Sequence, residues 1–160
     1  MSYILPFTKK PVKIGQGFNQ GSHKDWPEDK EDFRFSIDFL LPIGTKIFAS
    51  RTGTVTKIKN TGKLNYAGND EKKGQIAYKK HMNEIEIKHS DKTYASYSHL
   101  KNKGTFVHKG QIVKQGQLIG LSGNTGWSSS PHLDFTLFRK NYKGRKIKSI
   151  KIKFKDFKIK

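Results

Sequence analysis

The sequence predicts an all-β fold, namely an antiparallel β-sandwich or barrel-like domain with glycine-rich turns and long surface loops. Three observations support this class. Apolar and polar residues alternate with a period of two, which is typical of half-buried strands, glycines recur at short intervals, and no amphipathic helix longer than about three turns is apparent. The alternating segments span residues 45–50, 53–58, 83–88, 93–99 and 132–138.

Turn residues connect these segments. Ser90, Asp91 and Lys92 separate two of them and predict a β-hairpin. Glycines punctuate the second half of the chain and predict tight turns in which the backbone takes a positive φ. They are Gly104, Gly110, Gly116, Gly120, Gly123 and Gly126.

Residues 61–80 are polar, contain glycines and show no periodicity. They predict a long surface loop inserted between two strands. Because long loops without secondary structure are often functional, this segment is a candidate wall of a substrate groove.

The C-terminal segment is strongly basic, since residues 139–160 carry eleven lysines and arginines and one acidic residue. Lysines alternate with apolar residues, which predicts an edge strand with an apolar inner face and a lysine-covered outer face that discourages aggregation. The alternating residues are Lys151, Ile152, Lys153, Phe154 and Lys155.

The length predicts a single domain. A chain of 160 residues buries enough surface to form one core without disulfides. We expect the domain to span residues 1–160, with the core over about residues 3–140 and the basic strand over residues 141–160.

The composition narrows the classes of function. The chain has no cysteine, which excludes thiolate metal sites and a cysteine nucleophile, so any metal must be held by His, Asp or Glu. No apolar run approaches the roughly 20 residues of a membrane span, and residues 1–7 are too short for a signal peptide.

The net charge is +19, from 32 basic and 13 acidic residues, and it implies attraction to a polyanion. Only four of the basic residues are arginines, the side chain favoured for bidentate recognition of phosphates and bases. The charge therefore indicates a non-specific field, with a solvated lysine-rich surface as the alternative. A basic barrel that stacks single-stranded nucleic acid on its tyrosines is a further alternative, but it explains none of the motifs below.

Short motifs on strands carry the residues suited to chemistry. In the last alternating segment, His132 and Asp134 share one face, opposite the apolar Leu133 and Phe135. An imidazole and a carboxylate therefore stand side by side on the face that is turned away from the core.

Two other segments follow similar patterns. Residues 35–39 place Asp38 on the face opposite the apolar Ile37 and Phe39. At the end of another predicted strand, Tyr97 and His99 share a face.

Together with His23, these motifs resemble the lysostaphin or LytM type of zinc metallopeptidase in their order and their neighbouring residues. The matching segments are Ser36-Ile37-Asp38-Phe39, Pro42-Ile43-Gly44-Thr45, Tyr97-Ser98-His99-Leu100, Leu121-Ser122-Gly123-Asn124-Thr125-Gly126 and His132-Leu133-Asp134-Phe135. The resemblance covers about residues 3 to 140. It implies a duplicated hybrid motif fold and a zinc-dependent endopeptidase that hydrolyses the peptide cross-links of bacterial peptidoglycan.

The resemblance also implies a role for each matching residue. His23, Asp38 and Asp134 fall at the positions of the three ligands of one zinc ion, which leaves an open coordination position. His99 and His132 match two unligated histidines that act as general base or oxyanion donor. Residues that bind the substrate are not assigned.

Two departures from the family pattern leave alternatives open. The interval between His23 and Asp38 is long and acidic, which makes His89 a rival first ligand, although His89 ends a strand at a turn and looks structural. His81 and His108 look like surface residues.

Asp134 also stands where the family has a histidine, which makes the metal centre formally neutral and its bound water less acidified. We expect a weaker catalyst or a shift to another metal. The alternative is a catalytically degenerate domain on the same fold that binds peptidoglycan or regulates a partner.

The expected partners follow from this assignment. They are peptidoglycan peptides and an anionic wall polymer attracted by the basic surface, with no nucleic acid and no membrane span. The expected location is the periplasm, or the cell wall after secretion.

Overall fold

The computed structural model describes residues 2–159, and Met1 and Lys160, which the predicted domain also includes, lie outside the described residues. The described residues form strands and one helix. In chain order the elements are β1 (Asp25–Trp26), β2 (Glu31–Asp32), β3 (Ile37–Leu40), β4 (Lys46–Phe48), β5 (Gly53–Lys59), β6 (Asn65–Tyr66), α1 (Glu71–His81), β7 (Glu84–Lys88), β8 (Tyr94–Ser98), β9 (Leu100–Thr105), β10 (Ile112–Val113), β11 (Leu118–Ser122), β12 (Gly126–Trp127), β13 (His132–Tyr142) and β14 (Arg145–Ser149). Within residues 2–159, no helix is long and apolar enough to cross a membrane.

The strands form one large sheet and two small ones. The order in the large sheet is β1-β2-β14-β13-β8-β7-β5-β10, and β3 also pairs with β13. A second sheet has the order β4-β11-β9, and β12 pairs with β6 in a short parallel ribbon. The all-β prediction is confirmed, and within the described chain the sheets stay open and do not close into a barrel.

The core joins the large sheet to the three-stranded sheet. Ile37, Ile87 and Phe135 of the large sheet belong to the same buried cluster as Ile47 and Ile119 of the smaller one. All five are fully buried, and removal of this apolar surface from water is the main favourable contribution to folding. Because side chains alternate along a strand, the next residue on each side of these faces away from the core.

The alternating segments are strands, and the predicted hairpin is confirmed. β7 and β8 run antiparallel with Lys88 opposite Tyr94. Across the turn, the N–H of His89 donates to the carbonyl of Thr93 at 2.8 Å. Lys92 takes a φ of 63°, which closes the turn.

The prediction of a loop over residues 61–80 is wrong, because α1 occupies Glu71–His81. Asp70 caps the helix by accepting a hydrogen bond from the N–H of Lys73 at 3.0 Å. Gly74 lies against Trp127, where an added Cβ would meet the ring at 2.3 Å. This contact with a distant residue stabilises a helix that shows little amphipathic pattern of its own.

The glycine prediction is partly right. Gly110, Gly116 and Gly126 have a positive φ, as expected. Gly123 is needed for another reason, since an added Cβ would lie only 2.4 Å from the backbone nitrogen of Lys101 on the neighbouring strand.

The predicted C-terminal edge strand is also corrected. The regular strand at this end is β14, while residues 151–153 belong to no strand and Phe154 forms only isolated bridges, with Tyr3 and Phe157. The alternation of faces is nevertheless present, because Ile152 and Phe154 are buried and the intervening lysines are exposed. These apolar side chains hold the segment against the core without the ladder of a paired strand.

Candidate active site

Two paired strands bring three of the predicted site residues together. β3 and β13 run antiparallel, with Asp38 opposite Asp134 and Leu40 opposite His132. Paired residues share a face, so Asp38, Asp134 and His132 lie on the side of the sheet away from the core. Although this face is turned away from the core, Asp38 and His132 are buried in the folded chain.

His23 joins them although it precedes Asp38 by a long interval. That interval folds into a β1–β2 hairpin, whose ends are tied by a hydrogen bond from the N–H of Phe33 to the carbonyl of Lys24 at 3.0 Å. The chain therefore leaves the site after His23 and returns just before β3. The buried imidazole lies with its Nε2 3.1 Å from Oδ1 of Asp38.

His23, Asp38 and Asp134 form a compact group of potential metal ligands. Each offers one ligand atom, and the three atoms lie within 4.8 Å of one another. Oδ1 of Asp38 is buried, and apart from the imidazole Nε2 atoms of His23 at 3.1 Å and His132 at 3.8 Å it makes no polar contact with a described residue. A buried carboxylate needs a positive partner, which is either the protonated His23 or a metal ion that replaces its proton.

Neighbouring groups orient two of these side chains. The Nδ1 of His23 lies 3.0 Å from the carbonyl of Gly17, so Nδ1 carries the hydrogen and Nε2 is left to face the group. The side-chain Nε2 of Gln16 donates to Oδ2 of Asp38 at 2.9 Å, which leaves Oδ1 pointing at His23. Such outer contacts commonly orient metal ligands. No periodic pattern in the sequence marks Gln16 or Gly17 for this role.

The prediction that Tyr97 and His99 share a face is wrong. Tyr97 is fully buried in the core, where its hydroxyl accepts a hydrogen bond from the N–H of Ser50 at 2.8 Å. His99 follows β8 with a φ of 62°, and this left-handed conformation breaks the alternation and turns the ring to the other side. Its ring centroid there lies 4.4 Å from that of His132.

Backbone carbonyls hold both of these histidines. The Nδ1–H of His99 donates to the carbonyl of Thr125 at 2.6 Å. The Nδ1–H of His132 donates to the carbonyl of Ser130 at 2.8 Å, and its Nε2 lies 3.8 Å from Oδ1 of Asp38. Both rings therefore keep Nε2 for contacts within the site.

The remaining histidines lie outside this group. His89 is buried beside Tyr3, and its Nδ1 lies 3.0 Å from the carbonyl of Thr52. His108 is exposed, and His81 is half-buried at the end of α1.

The charges of the site shift its pKa values in opposite directions. Burial disfavours the imidazolium form of His23, but the carboxylates of Asp38 and Asp134 outweigh this effect and raise its pKa to about 9. Burial and repulsion by Asp38 raise the pKa of Asp134 to about 6. Burial likewise opposes ionisation of Asp38, yet the contact with His23 holds its pKa below the usual range.

His99 behaves differently from His23. Burial, followed by repulsion from His132, lowers the pKa of His99 to about 4. The ring is therefore neutral near pH 7, with Nε2 free to accept a proton.

A cavity of about 470 Å³ opens over the group. The helix α1, in the segment expected to line a groove, contributes Tyr78 and Lys79 to its wall. Trp127 forms another part of the wall, and the β1–β2 hairpin adds Trp26. The two tryptophans were not singled out from the sequence, because only the folded hairpin and the contact with α1 bring them to the site.

The fold is that of a lysostaphin-like metallopeptidase. A family model described as Peptidase family M23 matches residues 32–148. The chain belongs to this family.

Characterised relatives support the same assignment. The peptidoglycan DD-endopeptidase ShyA of Vibrio cholerae is 36% identical over 114 residues, which are 71% of this chain and 21% of ShyA. Lysostaphin of Staphylococcus simulans is 33% identical over 120 residues, 74% of this chain and 18% of lysostaphin. The chain thus spans about a fifth of the length of these relatives.

Solved structures share the fold. A zinc-containing peptidase from Vibrio cholerae superposes with a TM-score of 0.62 at 26% identity, covering 96% of this chain and 40% of that one. Lysostaphin from Staphylococcus simulans superposes with a TM-score of 0.56 at 27% identity, covering 86% of this chain and 47% of that one.

Proposed function

We propose that this protein is a zinc-dependent endopeptidase that hydrolyses the peptide cross-links of bacterial peptidoglycan outside the inner membrane. The observation that carries the proposal is the convergence of His23, Asp38 and Asp134 within 4.8 Å, beside His99 and His132. The relatives named as peptidoglycan endopeptidases supply the substrate class.

The three side chains suit a zinc ion. One imidazole nitrogen and two carboxylate oxygens are common zinc ligands, and three protein ligands leave a position open for water or substrate. The buried Oδ1 of Asp38, which contacts only the imidazole nitrogens of the site, fits this use. A zinc ion bound there would polarise a peptide carbonyl and lower the pKa of a bound water.

The two flanking histidines would handle protons and charge. The neutral His99 presents an unprotonated Nε2 that would accept a hydrogen bond from a bound water, although its lowered pKa of about 4 makes it a weak base. His132 is held by Ser130 with its Nε2 toward the site, where its imidazolium form, which carries a hydrogen on both ring nitrogens, would donate a hydrogen bond to a developing oxyanion. The carbonyls that hold the two rings remove rotational freedom before the substrate arrives.

Asp134 changes the electrostatics of the centre. With one neutral histidine and two aspartates, the charge of a divalent zinc ion is fully compensated. Acidification of the bound water is therefore weaker than in a centre with a single carboxylate. We expect a slower enzyme with a more alkaline pH optimum than a two-histidine relative has.

The basic surface would hold the protein near its substrate. The net charge of +19 is carried mostly by lysines, many of them exposed near the C-terminus. An anionic wall polymer is the expected partner for this surface, because the attraction needs charge and no particular geometry.

Metal analysis combined with digestion of purified peptidoglycan tests the proposal. We expect about one zinc per chain and released cross-link peptides, both abolished by chelator and by Asp38→Ala. His132→Ala should retain the metal and lose hydrolysis, while His108→Ala, which changes an exposed histidine, should leave both unchanged. A zinc-loaded protein that leaves all cross-links intact would refute catalysis.

Asp134 also motivates a second candidate function, a peptidoglycan-binding or regulatory domain without catalysis. The substitution Asp134→His separates the two. If the natural chain neither binds zinc nor hydrolyses cross-links and the variant does both, the non-catalytic function is favoured. Hydrolysis by the natural chain excludes it.

A further inference from the structure

A second cleft lies at the opposite end of the candidate active site from the cavity described above. Its volume is about 510 Å³. Lysines and apolar side chains line it, and its described lining holds no acidic residue. The lining residues used in the argument are Lys9, Lys10, Lys13, Leu40, Pro42 and Pro131.

Backbone pairing places this lysine cleft next to the metal-ligand group. Leu40 lines the cleft and pairs with His132 across β3 and β13. Pro131 also lines it and directly precedes His132. The carbonyl of Lys13 accepts a hydrogen bond from the N–H of Leu40 at 2.9 Å, so the lysine-bearing segment runs beside β3. A ligand that lies along β13 and extends beyond the first residue of that strand, His132, therefore reaches the cleft.

The electrostatic character reverses on the other side of the group. The cavity over the metal-ligand group is lined by five carboxylates and three lysines. Two of its glutamates, Glu84 and Glu86, are paired with lysines, whereas Glu31 and Asp29 have no ion pair with a described residue. Acidic residues number only 13 in the whole chain, so their concentration in this cavity contrasts with the surrounding basic surface.

We propose that the lysine cleft binds a carboxylate of the peptide substrate and thereby sets the orientation of the peptide across the metal-ligand group. The inference rests on the proposed function and adds a substrate feature to it. A carboxylate in the lysine cleft would meet three lysines and no acidic residue of the described lining, whereas the same group in the cavity over the metal-ligand group would meet five carboxylates and three lysines. The opposite charges thus favour one direction of binding.

The shape of the cleft favours a peptide over a wall polymer as the occupant. Leu40, Pro42 and Pro131 give it an apolar floor, which a side chain of a peptide can cover and a chain of phosphates cannot. The cleft also lies directly beside His132 and the metal-ligand group. A peptide substrate needs this proximity, whereas a polymer held by general surface charge does not.

Paired synthetic peptides test the proposal. Both carry the scissile bond and a fluorophore, and they differ only in a carboxylate or a carboxamide on the residue expected in the lysine cleft. Their binding to the full chain is measured by fluorescence anisotropy with chelator present, so that the result does not depend on hydrolysis. We expect the carboxylate peptide to bind about tenfold more tightly at low salt, because each exposed ion pair contributes a few-fold at most.

A triple variant locates the effect. Lys9→Gln, Lys10→Gln and Lys13→Gln together should abolish the preference. The matched control changes three exposed lysines that line neither cavity, Lys109→Gln, Lys114→Gln and Lys158→Gln, and should retain it. Raising the salt to about 1 M should shrink the preference in the natural chain, since the screening length falls to about 3 Å.

The outcomes separate this inference from the proposed function. Equal binding of the two peptides by the natural chain overturns the inference, and this comparison needs no variant to fold. A wall polymer is the occupant instead if the natural chain binds the two peptides equally and the triple variant loses the binding of polyglycerol phosphate that the natural chain shows. That outcome also overturns the inference. A carboxylate preference in a chain that, when loaded with zinc and without chelator, leaves purified peptidoglycan intact supports the cleft and refutes the endopeptidase.

Discussion

Zinc binding should release protons in a number that the structure predicts. Burial lowers the pKa of His23, but the neighbouring carboxylates outweigh this effect and raise it to about 9. For Asp134, burial and the repulsion by Asp38 both act in the same direction and raise the pKa to about 6. Zinc requires both groups deprotonated, so it competes with their protons and its apparent affinity rises with pH. At pH 7, His23 is almost fully protonated and Asp134 about a tenth protonated, which gives a release of about 1.1 protons. At pH 5.5 the release increases to about 1.8 protons.

Ordinary ligands would behave differently. A histidine of pKa about 6.5 and an aspartate of about 3.9 would release about 0.2 proton at pH 7 and about 0.9 at pH 5.5. Isothermal titration calorimetry in buffers of different ionisation enthalpy counts the protons directly. His108→Ala, which removes an exposed histidine, should leave the count unchanged. A release near 0.2 proton at pH 7 would refute the assigned charge state of the site.

Three further predictions concern groups that support the site. Gly74→Ala places a Cβ 2.3 Å from the ring of Trp127. The overpacking should cost about 1–3 kcal/mol, which exceeds the gain in helix propensity of about 1 kcal/mol, so the variant should be less stable and amide hydrogens in α1 should exchange faster. Asp32→Ala leaves the arginine and lysine partners of a fully buried carboxylate unpaired and should lower the free energy of unfolding by about 2 to 3 kcal/mol in urea. Gln16→Ala removes the hydrogen bond to Asp38 and should weaken zinc affinity about tenfold in a chelator competition assay.

Matched substitutions control these three experiments. Lys72→Ala changes an exposed residue of α1 and should leave its exchange rates nearly unchanged. Asp29→Ala removes an exposed aspartate and should change stability by less than about 0.5 kcal/mol. Gln111→Ala removes a side-chain acceptor in a distant turn and should not alter zinc affinity. An effect of a control as large as that of its partner would contradict the corresponding prediction.

The fold class and one half of the site could be predicted because they depend on local periodicity. In β13, Leu133 and Phe135 must face the core, and this places His132 and Asp134 together on the other face. The same reasoning succeeds for Asp38 in β3. It fails at His99, because a single residue with positive φ cancels the alternation and no periodic pattern reveals it.

The helix α1 illustrates a second limit. Its residues are polar, and Gly74 lies in its interior, so the local pattern favours a loop. The helix forms because Asp70 caps it and the flat surface at Gly74 packs on Trp127. That contact joins residues far apart in the chain, and propensity alone does not contain it.

The sequence by itself determined that this is an all-β chain of the lysostaphin-like class with a histidine and two aspartates as candidate ligands, because strand alternation and motif order are local properties. Only the tertiary structure decided how they meet. The β1–β2 hairpin returns the chain so that His23 contacts Asp38, and the pairing of β3 with β13 sets Asp38 opposite Asp134. It likewise placed Lys13 beside Leu40 at the edge of the site. These contacts arise from hydrogen bonds between distant segments, which no local pattern in a single chain encodes.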